Sequence, residues 1–169
     1  MQRYYYFFRY EMKNKINFIL TICVLALVVI CFVSVNAPMQ FEEQRAQREQ
    51  DIKARLITIR KAEEAYLAQH GRYTDSFDSL VAASLLPDTM RFIPHAEGET
   101  FQLATAIDST QHDTAVPLVE CRAPLELYLK GLSESEIANL MKEAERNGQY
   151  AGLKFGSITT PNNNAANWE

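Results

Sequence analysis

From Phe18 to Val35 the chain is unbroken by charge, glycine or proline. Eighteen residues at about 1.5 Å of helical rise reach roughly 27 Å, close to one hydrocarbon layer. A helix is the single-segment structure that satisfies its own backbone groups in lipid, so this block predicts a transmembrane helix. Beyond it the pattern turns amphipathic. Ile52, Leu56, Ile59, Ala62 and Tyr66 recur at steps of three and four, which predicts one apolar helical face packed against a soluble head. Glu49 with Lys53 and Asp51 with Arg55 are spaced as i,i+4 ion pairs on the other face. Pro38 stands inside this pattern and predicts a kink, and His70 with Gly71 predicts the helix end.

The rest of the chain predicts small elements. Asp75 or Ser76 is placed to cap a short helix carrying Phe77, Leu80, Val81 and Leu85, stopped before Pro87. Met90 to Pro94 reads as a short strand. Thr100 to Ile107 alternates, with Phe101, Leu103 and Ile107 on one face. A polar loop over Ser109 to Asp113 leads to a strand over Val116 to Cys121, which Pro117 assigns to a sheet edge. Leu125, Leu127 and Leu129 alternate like a further strand. Ser133 and Glu136 have capping-box spacing before a helix that ends at Asn147 and Gly148. Leu153 to Ile158 reads as a last strand, and the Asn-rich tail from Thr160 to Glu169 as extended. Trp168 is its candidate anchor, either tucked into the head or docked on a partner.

The expected fold class is therefore α+β. An N-terminal transmembrane helix continues into a long amphipathic helix on a small antiparallel sheet, with an extra C-terminal helix. The segments divide at 1–15, 16–37, 38–70, 71–159 and 160–169.

Charge adds an orientation. Arg3, Arg9, Lys13 and Lys15 precede the apolar block against the single acid Glu11, and acids outnumber bases just after it. That bias predicts a cytoplasmic N-terminus and, in a Gram-negative cell, an inner-membrane anchor with a periplasmic head. Tyr4, Tyr5, Tyr6, Phe7, Phe8 and Tyr10 suit the headgroup zone. A cleaved signal peptide is the rival reading: Ala37 ends the run with a small residue, but the run is long and Pro38 would follow the cut. A formal charge of −4 without a basic patch argues against nucleic acid.

Arg60 to Leu80 is more specific. Ala62, Ala65 and Tyr66 lie near the helix end, followed by Gly71, Tyr73, a polar turn and a short helix ending in Leu80. This stretch resembles the upper first helix and loop of type IV pilins and type II secretion pseudopilins. Pro38 lies where that family commonly carries a proline. The resemblance covers Phe18 to about Leu86. It implies a non-enzymatic, membrane-anchored structural subunit of a secretion or pilus-related assembly. Its partners would be the bilayer and other membrane or envelope proteins, with copies of itself as one option. Family members keep a glycine before their processing site and a glutamate inside the apolar segment. This chain has no glycine near Ile16 and Asn17 and no glutamate between Phe18 and Val35. A static accessory subunit of another membrane complex is the alternative.

No catalytic, metal or cofactor site is expected. His70, His95, His112 and Cys121 lack ligand spacing, Cys121 reads as inert packing, and no phosphate loop or dinucleotide fingerprint occurs.

Overall fold

The computed structural model describes residues 2–108 and 115–169, with side chains described outside 2–16, 33 and 35–38. The chain forms two compact units, Met1–Glu43 and Gln44–Glu169. The fold is α+β, with a three-stranded antiparallel sheet.

Helix α1 spans Gln2–His70, unbroken at Pro38. In the first unit its side chains from Phe18 to Phe32 are exposed, at 68% and 70% for these two residues. Among the described residues no helix is long and apolar enough to cross a membrane. Val33 and Val35 of the predicted span fall outside the described side chains. So do the N-terminal basic and aromatic cluster and the side chain of Pro38, and the polar loop at 109–113 is outside the described residues altogether.

In the second unit α1 supplies one wall of the core. Ile52, Leu56 and Ile59 are fully buried, and Ala62 and Tyr66 nearly so. At the helix end the Gly71 N–H donates to the Leu67 carbonyl at 2.8 Å. Gly71 takes a left-handed φ of +70°, open to glycine at little steric cost. His70 stacks on Tyr66 with ring centroids 4.1 Å apart.

The polar face of α1 clamps the head instead of pairing only with itself. Glu49 pairs with Arg45 at 2.8 Å and Lys53 at 3.7 Å, but the expected Asp51–Arg55 pair is replaced. Asp51 accepts from His95 Nε2 at 3.2 Å. Arg55 donates to the Thr89 and Phe92 carbonyls, and Arg48 to those of Tyr128 and Lys130. A guanidinium offers several donors, so loop carbonyls within reach of the helix compete with a solvated i,i+4 pair.

Helix α2 spans Phe77–Ala82 with Ser76 at its N-cap position, but neither Ser76 nor Asp75 caps it through a side chain. The Ser76 N–H is itself held by the Thr74 hydroxyl at 3.2 Å. The helix stops short of Leu85, because Ser84 turns left-handed at φ 58°. The Leu85 N–H then reaches the Leu80 carbonyl, and the Ser84 N–H that of Val81, a Schellman closure with serine in the usual glycine position. The strand expected at Met90–Pro94 is instead a 3-10 turn, Asp88–Arg91, followed by a single bridge between Phe92 and Thr100. Arg91 explains it by folding back onto Asp78 and Asp88.

The sheet is ordered β1 (Gln102–Asp108), β2 (Val116–Pro124), β3 (Gly152–Gly156). β2 is thus the central strand, against the edge position that Pro117 suggested. The reason lies in register: Pro117 faces Ile107 of β1, while β3 pairs only with Glu120 through Pro124. Beyond the end of β3 a missing N–H breaks no ladder. Ile107 shares the core-side face with Leu103, yet it is 70% exposed, so that end of the face lacks cover.

Leu125, Leu127 and Leu129 form no strand. Pro124 starts a short helix, α3 (Leu125–Tyr128). Leu125, Tyr128 and Leu129 are buried together, spaced i, i+3 and i+4 as one helical face demands. Helix α4 spans Glu134–Arg146. Ser133 occupies its N-cap position without a side-chain cap bond; its hydroxyl meets that of Ser135 at 3.0 Å, so the expected capping box is absent. Gly148 closes the C-terminus at φ 63°.

The tail docks on β3. The Gly156 N–H donates to the Ala165 carbonyl at 2.9 Å and the Asn167 N–H to that of Lys154 at 3.0 Å. Asn167 also accepts from the Lys154 N–H and donates to the Gly152 carbonyl. Arg60 secures the tail from α1, donating to the Asn164 carbonyl and pairing with Glu169 at 3.0 Å. Replacing Arg60 with Ala is expected to cost the docked tail about 1 kcal/mol. Hydrogen exchange should then quicken at the Gly156 and Asn167 amides and leave the α1 core unchanged.

Candidate functional site

Two features of the second unit have the makings of a site: a groove beside α4, and a buried carboxyl on α1.

The groove encloses about 600 Å³ and is bounded by α1, α3, α4, β3 and the tail. It exists because α4 is amphipathic but incompletely covered. None of its residues is buried, and Met141 is 37% exposed. Leu140 and Ala144 line one wall, Tyr128 and Tyr150 another, and Trp168 stands at the side formed by the tail. Trp168 is therefore half-buried at the groove, while the tail residue that sinks into the core is Ala166.

Behind Tyr150 lies a charged cluster. Glu120 on β2 is almost fully buried and paired with Arg122 and with Lys154, the latter at 2.7 Å. Register forces this meeting, since Arg122 and Lys154 are direct cross-strand partners and Glu120 is two residues along the same face. Both cations sit over the Tyr150 ring, 5.7 and 5.9 Å from its centroid. Burial pushes the Tyr150 phenol up to about 12, so it stays neutral as a donor. Its hydroxyl is buried with no hydrogen-bond partner among the described residues.

Glu63 is the second feature. Its side chain is fully buried. One carboxyl oxygen accepts from the Thr74 N–H at 3.1 Å, tying α1 to the turn that follows it, and the other has no partner among the described residues. Burial, only partly offset by the Thr74 bond and reinforced by Asp75, raises its pKa from 4.5 to about 7. Cys121 is fully buried, and burial together with Glu63 holds its thiol well above its usual range, which leaves it an inert packing residue.

The expected site residues fall into separate places. Ile52, Leu56, Ile59, Ala62 and Tyr66 lie in the core, and Phe18 lies in the exposed apolar part of the first unit. Gly71 ends α1, and Tyr73 receives a hydrogen bond from Asn164 at 2.8 Å. Only Trp168 reaches the groove. Glu63 escaped the sequence reading although a signal existed. Positions 52, 56, 59, 63 and 66 form a continuous stripe, so a carboxyl at 63 must be inside. Among the described residues no group of three or more side chains is placed to hold a metal ion. No family model, curated protein or solved structure matches the chain.

Proposed function

We propose that this protein is a non-enzymatic, single-pass, membrane-anchored subunit with a pilin-like plan, serving an envelope secretion or pilus-related assembly. One observation carries the reading. The same helix bears an exposed apolar run from Phe18 to Phe32 and, further along, a buried stripe from Ile52 to Tyr66. Such a run in water is costly, at about 25 cal/mol per Å² of apolar surface, and lipid or a neighbouring apolar helix removes that cost. The head supplies a surface for partners through the groove beside α4. Its aromatic lining suits protein contacts, where tyrosine and tryptophan carry much of the binding energy.

The absence of a glycine near Ile16 and of any acid from Phe18 to Val35 favours a second reading, a static accessory subunit of another membrane complex. Carbonate-washed membranes should retain the full chain, and mild detergent should release it with a partner. Recovery as a free, lone monomer overturns both readings. N-terminal sequencing separates them: a start at Met1 supports the accessory subunit, and a start near Asn17 the processed, pilin-like one.

A further inference from the structure

We propose that the turn at residues 72–76 is a proton-operated latch on the end of α1, held shut while the Glu63 carboxyl carries its proton and driven to open when that proton is lost. The backbone of the turn has a single fastening to another element. From 72 to 76, among the described residues, the Thr74 N–H is the only one that bonds outside the turn, and its acceptor is Glu63 at 3.1 Å. The Ser76 N–H stays local, on the Thr74 hydroxyl. Just before the turn, Gly71 is left-handed at +70° with nothing within 4 Å of an added Cβ, so the pivot is uncrowded. The Tyr73 hydroxyl, which accepts from Asn164, adds a side-chain tie to the tail.

Ionisation works against that fastening. A buried carboxylate needs several donors, and Glu63 has one. Its second oxygen has no partner among the described residues, and the N–H groups of α1 around it are spent within the helix. Two titratable groups are set against it from other elements. Asp75 on the turn opposes a second anion. Cys121 on β2 is a thiol that burial keeps protonated and that donates only weakly.

Water is the remaining source of donors, and the turn is where it can enter. Thr74 is buried, but Arg72 and Asp75 beside it are exposed. A cleft of about 530 Å³ runs along the turn, lined by Tyr73, Thr74, Asp75 and Ser76. Moving Thr74 off α1 joins that cleft to the carboxylate and enlarges it. The closed carboxyl titrates near 7 against an ordinary 4.5, so the open population grows as pH rises between those values and levels off above them.

Amide hydrogen exchange of the full chain in detergent tests the latch, with low urea added to separate local opening from global unfolding. The Thr74 and Ser76 amides should exchange through an opening that low urea does not accelerate. Their protection, corrected for the intrinsic pH dependence of exchange, should fall at least about tenfold between about pH 5 and about pH 7.5. Glu63→Gln keeps an acceptor for Thr74 but cannot ionise, and should leave that protection flat. In the parent alone, the fall should level off where the Glu63 carboxyl carbon titrates by NMR, which decides the matter if Glu63→Gln fails to fold. The proposal is overturned if the Thr74 and Ser76 amides exchange only in step with Leu56 and Ile59 across urea, or if their protection in the parent is flat with pH. A fall that levels off at a different pH from the Glu63 titration, or that persists in a folded Glu63→Gln, overturns it equally.

Discussion

Raising the pH from about 4.5 to about 7.5 is expected to remove roughly 3 kcal/mol of stability from the head through Glu63 alone, and Glu63→Gln should abolish that loss. The buried carboxyl titrates near 7 in the folded chain against an ordinary value of 4.5. Between those values the folded state holds a proton that the unfolded state has given up. Stability from this group is thus complete below the unfolded value and lost as pH rises through the folded one. The cause is geometric: one oxygen has the Thr74 N–H and the other has no partner among the described residues, so the ionised form is poorly compensated. Urea unfolding of parent and variant across this range, followed by the single tryptophan, Trp168, checks it. The difference between the two curves cancels the other titrating groups, including Glu97 and Glu169, which Lys130 and Arg60 hold below the usual carboxylate range. A parent-minus-variant difference that stays flat with pH would refute the assignment.

The same residue shows what the sequence made legible. The stripe from Ile52 to Tyr66 was readable because helical periodicity is local, and every residue predicted on that face is buried. Glu63 was not read as interior, since charge outweighs position in a pattern search and its partner, Thr74, comes from the turn. The ends of α1 and α4 were readable from Gly71 and Gly148. The end of α2 was not, because Ser84 does the work of a glycine. β2 was misplaced at an edge because Pro117 speaks only for its own position, whereas the extent of β3 decides whether that position has a second neighbour. Leu125 to Leu129 fitted a period of two on leucines alone; adding the buried Tyr128 restores a helical face.

The candidate site was the least legible part, because its components come from distant elements. Glu120, Arg122 and Lys154 meet through strand register, and Tyr150 reaches them from the loop before β3. The tail's order likewise comes from Asn164 and Asn167 bonding to Tyr73, Lys154 and Gly152, and not from Trp168 alone. Asparagine both accepts and donates through one side chain, so an Asn-rich segment can bind a strand edge without much apolar content.

That docking makes Gly156 a sensitive glycine of the head, and Gly156→Ala is expected to cost about 3–5 kcal/mol. Gly156 has a left-handed φ of +72°, and an added Cβ would lie 2.0 Å from the Val119 carbonyl oxygen. That neighbour is backbone of the central strand, so no side chain can rotate away. Relief requires β3 to move off β2, breaking the pairing at Glu120 and withdrawing the N–H that holds Ala165. Gly148→Ala is the matched control: its φ is +63°, but nothing lies within 4 Å of the new Cβ, so only the conformational cost of about 1–2 kcal/mol applies. Urea midpoints of the two variants measure the difference directly. The Gly156 variant should also lose its tail to carboxypeptidase faster than the control does. Equal destabilisation by the two substitutions would mean that β3 yields freely, and the close approach to Val119 would then have no structural weight.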